Sequence, residues 1–358
     1  MLRSDDSSDS SAFPALGEVF VGMGPEGIAL APDLRRGFVS CSRSNCVTVF
    51  DLDSLQCVDQ VAVGLEPIGM AYDPVSKRIF TSDARADSVS VIDAVDLKLV
   101  GRVPVGRYPA GMGVYPERRK VYCGDTGANT VTIFHADTLE VLATVPAKLA
   151  AGSLGSDAVR DRVYCVNFGD ASITVIDGDT NRVVNEIAVD YAPCKIAIDT
   201  KRGRAYIANS LVSTVSVVDL DKMKVVDTIP VERAPVGMAV GMGGDRIYAA
   251  NRGTGTVSVI DRASGREWAR VPVGEAPGDL TVDEETSSVF VSNAGANTVS
   301  VFRDRLLSKP KTLPRAARHP LVGKPVPEFN LPDMITGQVR SSAEWKGKNY
   351  IINMFASW

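Results

Sequence analysis

The sequence predicts an all-β fold, a seven-bladed β-propeller built from four-stranded blades of 42 residues, and three periodic signals carry that prediction. The segments NCVTVFD, DSVSVID, NTVTIFH, ASITVID, STVSVVD, GTVSVID and NTVSVFR begin at residues 45, 87, 129, 171, 213, 255 and 297, a constant step of 42. A second landmark keeps that step through Pro25, Pro67, Pro109, Ala151, Pro193, Pro235 and Pro277. A third places Cys41, Asp83, Asp125, Asn167, Asn209, Asn251 and Asn293 at one equivalent position. No insertion breaks the register, and a β-rich repeat of about 40 residues has the size of one propeller blade.

Each unit contains four short runs: an inner strand of the type PxGMAV, then RIYVAN, TVSVID and VVxTIPVG, separated by polar or Gly-bearing turns. β-branched and aromatic residues dominate the runs, and helix-period patterns are missing. In the second unit Val89 and Val91 point to one face and Ser90 and Ile92 to the other. Both faces are thus apolar or small, as a sheet packed between two neighbours requires. The chain enters with residues 18–22, which match a fourth strand (61–64), and leaves the repeat after residues 298–302, which match a third. The first strand therefore completes the last blade, so the ring closes and its sheet edges disappear. An open solenoid would instead carry atypical capping repeats.

The expected organisation is a disordered, Ser- and Asp-rich terminus over residues 1–16, the propeller over 17–303, a basic Pro-containing linker over 304–320, and a separate segment over 321–358. A net charge of -4 argues against general nucleic-acid binding, because phosphate affinity needs clustered cations and the longest cluster is only Arg118, Arg119 and Lys120. No run approaches the roughly 18 apolar residues of a membrane-spanning helix, and the first residues have no apolar export core. As it stands the sequence reads as cytoplasmic. The six cysteines (41, 46, 57, 123, 165 and 194) show neither CxxC nor metal-ligand spacing and read as small buried apolar residues. Cys41 and Cys46 flank a turn and face each other across a hairpin, which leaves a disulfide between them open.

Ligands of propellers bind where turns gather around the channel mouth, so departures from the repeat consensus in those turns are the informative residues. Glu26, Lys195 and Asp279 replace small or apolar residues at the start of inner strands, and Arg43, Arg85, Arg107, Tyr108, Arg233 and Arg252 lie in turns on the same face. Such a mouth suits an anionic small molecule or an acidic peptide; the alternative is a solvated rim. No cofactor or metal site is expected on the ring. Of two histidines, His135 replaces the Asp that ends a third strand, away from the mouth, which argues against His-based lyase or metal chemistry. The pairs Asp51/Asp53, Asp177/Asp179 and Asp219/Asp221 read as turn caps rather than calcium ligands.

The units, with NTVSVFR-like third strands after PVGMAV and with YIAN at 206–209 and YAAN at 248–251, resemble the YVTN-type β-propeller repeat family over residues 17–303. One unit departs from that pattern, with Ala151 in place of the Pro and Ser153 where Gly is usual. Propellers of this type are commonly exported, which leaves the compartment open. Residues 321–358 resemble the opening of redoxin-type thiol-disulfide oxidoreductases of the thioredoxin superfamily, through VGKPVPEF at 322–329, Leu331 and Pro332, Gly337, WKGK at 345–348 and the run YIINMFASW. That resemblance implies a thioredoxin-like segment cut before its Cys-x-x-Cys, which would follow Trp358 directly.

The expected function is therefore a monomeric binding or scaffold propeller for an unidentified protein, peptide or anionic ligand, in a protein whose intact form carries a C-terminal thiol-disulfide oxidoreductase or thiol peroxidase domain. The alternatives are an interaction propeller without catalysis, or a propeller enzyme acting on an anionic substrate at the mouth.

Overall fold

The computed structural model describes residues 12–305 together with two short strands, Asn330–Pro332 and Val339–Ser341. Seven four-stranded antiparallel sheets form the blades of the propeller. Blade 1 consists of β2 (Pro25–Ala31), β3 (Arg36–Cys41), β4 (Cys46–Asp51) and β5 (Cys57–Ala62), in that spatial order. Blades 2 to 6 repeat the pattern over residues 67–104, 109–146, 151–188, 193–230 and 235–272. Blade 7 combines residues 277–303 with the first strand, β1 (Ala15–Phe20).

The ring closes as the repeat phase predicts. β1 runs antiparallel to Thr298–Arg303, with Glu18 opposite Ser300 and Phe20 opposite Thr298. The joint is longer than the sequence pattern shows: the backbone N–H groups of Arg303 and Arg305 donate to the carbonyls of Pro14 and Ala12, and Ala12 is buried. Residues 12–16, assigned to the disordered terminus by composition, thus belong to blade 7.

The core lies between blades rather than within them. Phe38, Val47 and Val49 of blade 1 pack against Met70, Ile79 and Ile92 of blade 2, and a corresponding apolar cluster fills every interface around the ring. Phe38, Phe80, Tyr122, Tyr164, Tyr248 and Phe290 occupy one repeat position and are essentially inaccessible; burying a side chain of this kind stabilises the fold by about 2 kcal/mol.

Two features of the inner rim position the site. A Cβ on Gly111 would sit 1.9 Å from the Gly152 carbonyl oxygen, and Gly27, Gly69 and Gly237 abut the next blade's backbone in the same way. The remaining three equivalents of this Gly position are Ser153, Lys195 and Asp279, which therefore carry side chains at the channel. The second feature is the position at the end of each second strand. Asn167, Asn209, Asn251 and Asn293 donate through Nδ2 to hydroxyls five and seven residues on, whereas Asp83 and Asp125 accept from the equivalent hydroxyls. These bonds pin the hairpins whose turns surround the mouth.

The chain divides into two units between residues 307 and 308, and the one after the propeller contains the strands Asn330–Pro332 and Val339–Ser341, paired antiparallel with Leu331 opposite Arg340. The rest of the segment predicted from 321 to 358 and the linker from 306 onward lie outside the described residues. So does most of the redoxin-like motif.

Candidate functional site

The beginnings of the inner strands leave a cavity of about 200 Å³ at the channel mouth. Four of the nine residues singled out from sequence line it: Glu26, Lys195, Arg252 and Asp279. They form two ion pairs, each reaching over an intervening blade. Lys195 of blade 5 donates from Nζ to Asp279 Oδ2 of blade 7 at 2.5 Å, and blade 6 clears the path because its equivalent residue is Gly237. Arg252, in the turn after the second strand of blade 6, donates from Nη1 and Nη2 to the Glu26 carboxylate of blade 1 at 3.2 and 3.3 Å. Here blade 7 presents only Gly278 and Ala294 at the corresponding positions. The opposite wall is apolar: Ile68, Met70, Ala110 and Met112 with the backbone of Gly111 and Gly152. Cys194 also lines the cavity, and burial pushes its thiol pKa up.

The other five sequence-selected residues stand outside the cavity lining. Arg85 donates to Glu66, which also accepts from the Tyr108 hydroxyl at 2.9 Å. Burial and then that bond raise the phenol's pKa, so Tyr108 is a donor at neutral pH. Arg107 and Arg233 are exposed and each donates to a carbonyl on the turn of its own blade, Gly127 and Gly253. Arg43 is likewise exposed on the turn of blade 1. The nine residues expected to share one mouth therefore divide into a charge-balanced cavity lining of two cations and two carboxylates and a rim of exposed arginines. Glu66 escaped the sequence reading although four equivalent positions are Ala150, Ala192, Ala234 and Ala276, a departure of the kind that revealed Glu26.

On the far face, charges do structural work. Asp51, Asp177 and Asp219 accept backbone N–H groups of their own turns, and His135 Nδ1 takes the same role by accepting from Asp137 and Thr138. Arg118 and Arg119 are bound to carboxylates of neighbouring turns, and Lys120 donates to the Gly178 carbonyl. Among the described residues no group of His, Cys, Asp and Glu is arranged to hold a metal ion, and no helix is long and apolar enough to cross a membrane.

With this geometry in place, comparison with known proteins points to a propeller family and to solved structures of similar fold. The model of a family described as "Lactonase, 7-bladed beta-propeller" matches residues 143–320. Over that stretch the chain is similar to the lactonase-type propellers. A solved structure of Kuenenia stuttgartiensis hydrazine synthase superposes with a TM-score of 0.72 at 19% sequence identity, covering 78% of this chain and 95% of that one. At that identity the likeness concerns the fold. No curated protein matches the chain.

Proposed function

We propose that the chain is a binding propeller whose channel mouth takes a small molecule, or a peptide terminus, that carries both an anionic and a cationic group beside an apolar part. The observation that supports this reading is the pairing of Lys195 with Asp279 and of Arg252 with Glu26 around one cavity. A purely anionic ligand would have to displace both carboxylates and leave them uncompensated, whereas an amphoteric ligand exchanges partners with each pair and keeps the charges matched. The wall of Ile68, Met70 and Met112 offers the apolar contact. Similarity to a family named for lactonases supports a small-molecule occupant.

Titration calorimetry with dipeptides, dicarboxylates and alkylamines tests the reading. Dipeptides are expected to bind, and the Lys195→Met and Glu26→Gln variants to weaken them at least tenfold. Binding by dicarboxylates alone would restore the anionic reading, and heat from none of the three would remove the site.

The redoxin resemblance of residues 321–358 supports a second assignment, in which the propeller docks partners for a thiol-disulfide oxidoreductase domain of the same protein. Reading the gene past the codon for Trp358 tests it: an immediate Cys-x-x-Cys supports the assignment, and any other sequence removes its basis.

A further inference from the structure

We infer that Cys41 and Cys46 form a redox-active dithiol that closes to a cross-strand disulfide within blade 1. The two residues lie directly opposite each other in the hairpin of β3 and β4. The six other blades show what side chains at these two positions do. Asp83 meets Ser88, Asp125 meets Thr130, Asn167 meets Ser172, Asn209 meets Thr214, Asn251 meets Thr256 and Asn293 meets Thr298, all at 2.9–3.4 Å. The backbone of this hairpin therefore aims both side chains at one point, and in blade 1 alone both are thiols. Residues directly opposite in an antiparallel pair have Cα atoms about 4.5–5.5 Å apart, within the span that a disulfide bridges.

The immediate surroundings complete the arrangement. Thr48 Oγ1 lies 3.4 Å from Cys41 Sγ and accepts the backbone N–H of Gly22. Gly22 covers the pair so closely that a Cβ there would lie 3.0 Å from the Cys41 sulfur and 3.2 Å from the Cys46 sulfur. The two thiols are coupled: loss of one proton is favoured at Cys41, and it pushes the pKa of the Cys46 thiol up. The monoanion of such a pair is its reactive form. Cys41 is inaccessible, whereas Cys46 retains 8% exposure, so exchange starts at Cys46.

The step balances with an external low-molecular-weight disulfide as oxidant. Proton transfer from Cys46 to the Cys41 thiolate leaves the charge on the more accessible sulfur, and the Cys46 thiolate attacks one sulfur of that disulfide, forms a mixed disulfide and releases one thiolate. Cys41 then loses its proton and attacks the Cys46 sulfur, releasing the second thiolate. Two electrons pass from the hairpin to the external disulfide, which leaves as two thiols. The consequence reaches the mouth, because the turn between the cysteines carries the segment leading to Glu26: Ser42 N–H donates to the Gly24 carbonyl at 2.8 Å and Arg43 N–H to the Met23 carbonyl at 3.1 Å.

The test uses the full chain with Cys57→Ser, which removes the exposed thiol of the same blade. The reduced protein is incubated with oxidised glutathione, alkylated and digested with trypsin, which cuts after Arg43, between the two cysteines. The expected result is a pair of peptides joined through Cys41 and Cys46, with alkylation of both falling at least tenfold. The double variant Cys41→Asn with Cys46→Thr, which copies the pattern of Asn209 with Thr214, should fold and lose the cross-link. Full alkylation of both cysteines after oxidation, or glutathione adducts that never resolve into the joined peptides, would overturn the inference.

Discussion

Lys195 and Asp279 touch across the channel mouth at 2.5 Å although 84 residues separate them in the chain. Their side chains are 26% and 11% exposed, so the pair is mostly withdrawn from water. Removing one partner strands the other's charge, and the Lys195→Met or Asp279→Asn substitution is expected to cost about 2 kcal/mol. The double variant should cost at least about 1 kcal/mol less than the sum of the two. Urea denaturation of the four proteins checks this; strict additivity would mean that the contact carries no coupling.

Asp83 and Asp125 occupy the position that is Asn in blades 4 to 7. Burial raises the pKa of both carboxyls, despite hydroxyl donors from Ser88, Ser90, Thr130 and Thr132. A carboxyl whose folded pKa lies above its unfolded value costs nothing while protonated in both states, and penalises the fold increasingly as pH rises from the unfolded value through the folded one. Asp125→Asn, which copies Asn167, is therefore expected to stabilise the protein by about 0.5–2 kcal/mol at neutral pH. The gain should vanish below the ordinary aspartate range, near pH 4. Thermal denaturation at both pH values measures it, and an equal gain at each would contradict the electrostatic account.

How far the sequence carried this picture depends on the range of each interaction. Blade number and ring closure were legible because strand alternation and the 42-residue step are local patterns that repeat without insertion. Glu26, Lys195, Arg252 and Asp279 were legible as departures from the repeat. Their pairing was not, since it depends on Gly237, Gly278 and Ala294 leaving the intervening blades bare, a property of the closed ring. Met70 and Met112 escaped notice for the opposite reason: they belong to the consensus, so nothing marked them as cavity wall.

Arg35 ties blade 1 to blade 7. It binds Asp283 of blade 7 at 3.0 Å and Asp53 of its own blade at 2.6 Å, and the Asp283 side chain is only 1% exposed. Arg119 makes the equivalent bridge to Asp73 between blades 3 and 2, at 2.9 Å. Arg35→Met leaves the buried Asp283 carboxylate without its cation at the interface where blade 7 meets blade 1, and about 3 kcal/mol of stability should be lost. Hydrogen exchange should show the loss as faster opening of Ala15–Phe20. Protection of that strand unchanged from the parent would separate the bridge from the closure.

Gly111 offers the sharpest test of the inner-strand packing, because the obstacle its Cβ would meet is backbone rather than a side chain able to turn away. The Gly152 carbonyl oxygen and carbon stand 1.9 and 2.3 Å from that point. Gly111→Ala must push blades 3 and 4 apart, and should cost about 3 kcal/mol or more. Gly152 itself is the control: a Cβ there finds nothing nearer than 3.8 Å, so Gly152→Ala should be almost neutral. Both residues line the cavity, so a ligand-binding assay on the same two variants separates loss of packing from loss of shape. If both alanine variants unfold at the same denaturant concentration as the parent, the close approach of the inner strands does not depend on glycine at 111.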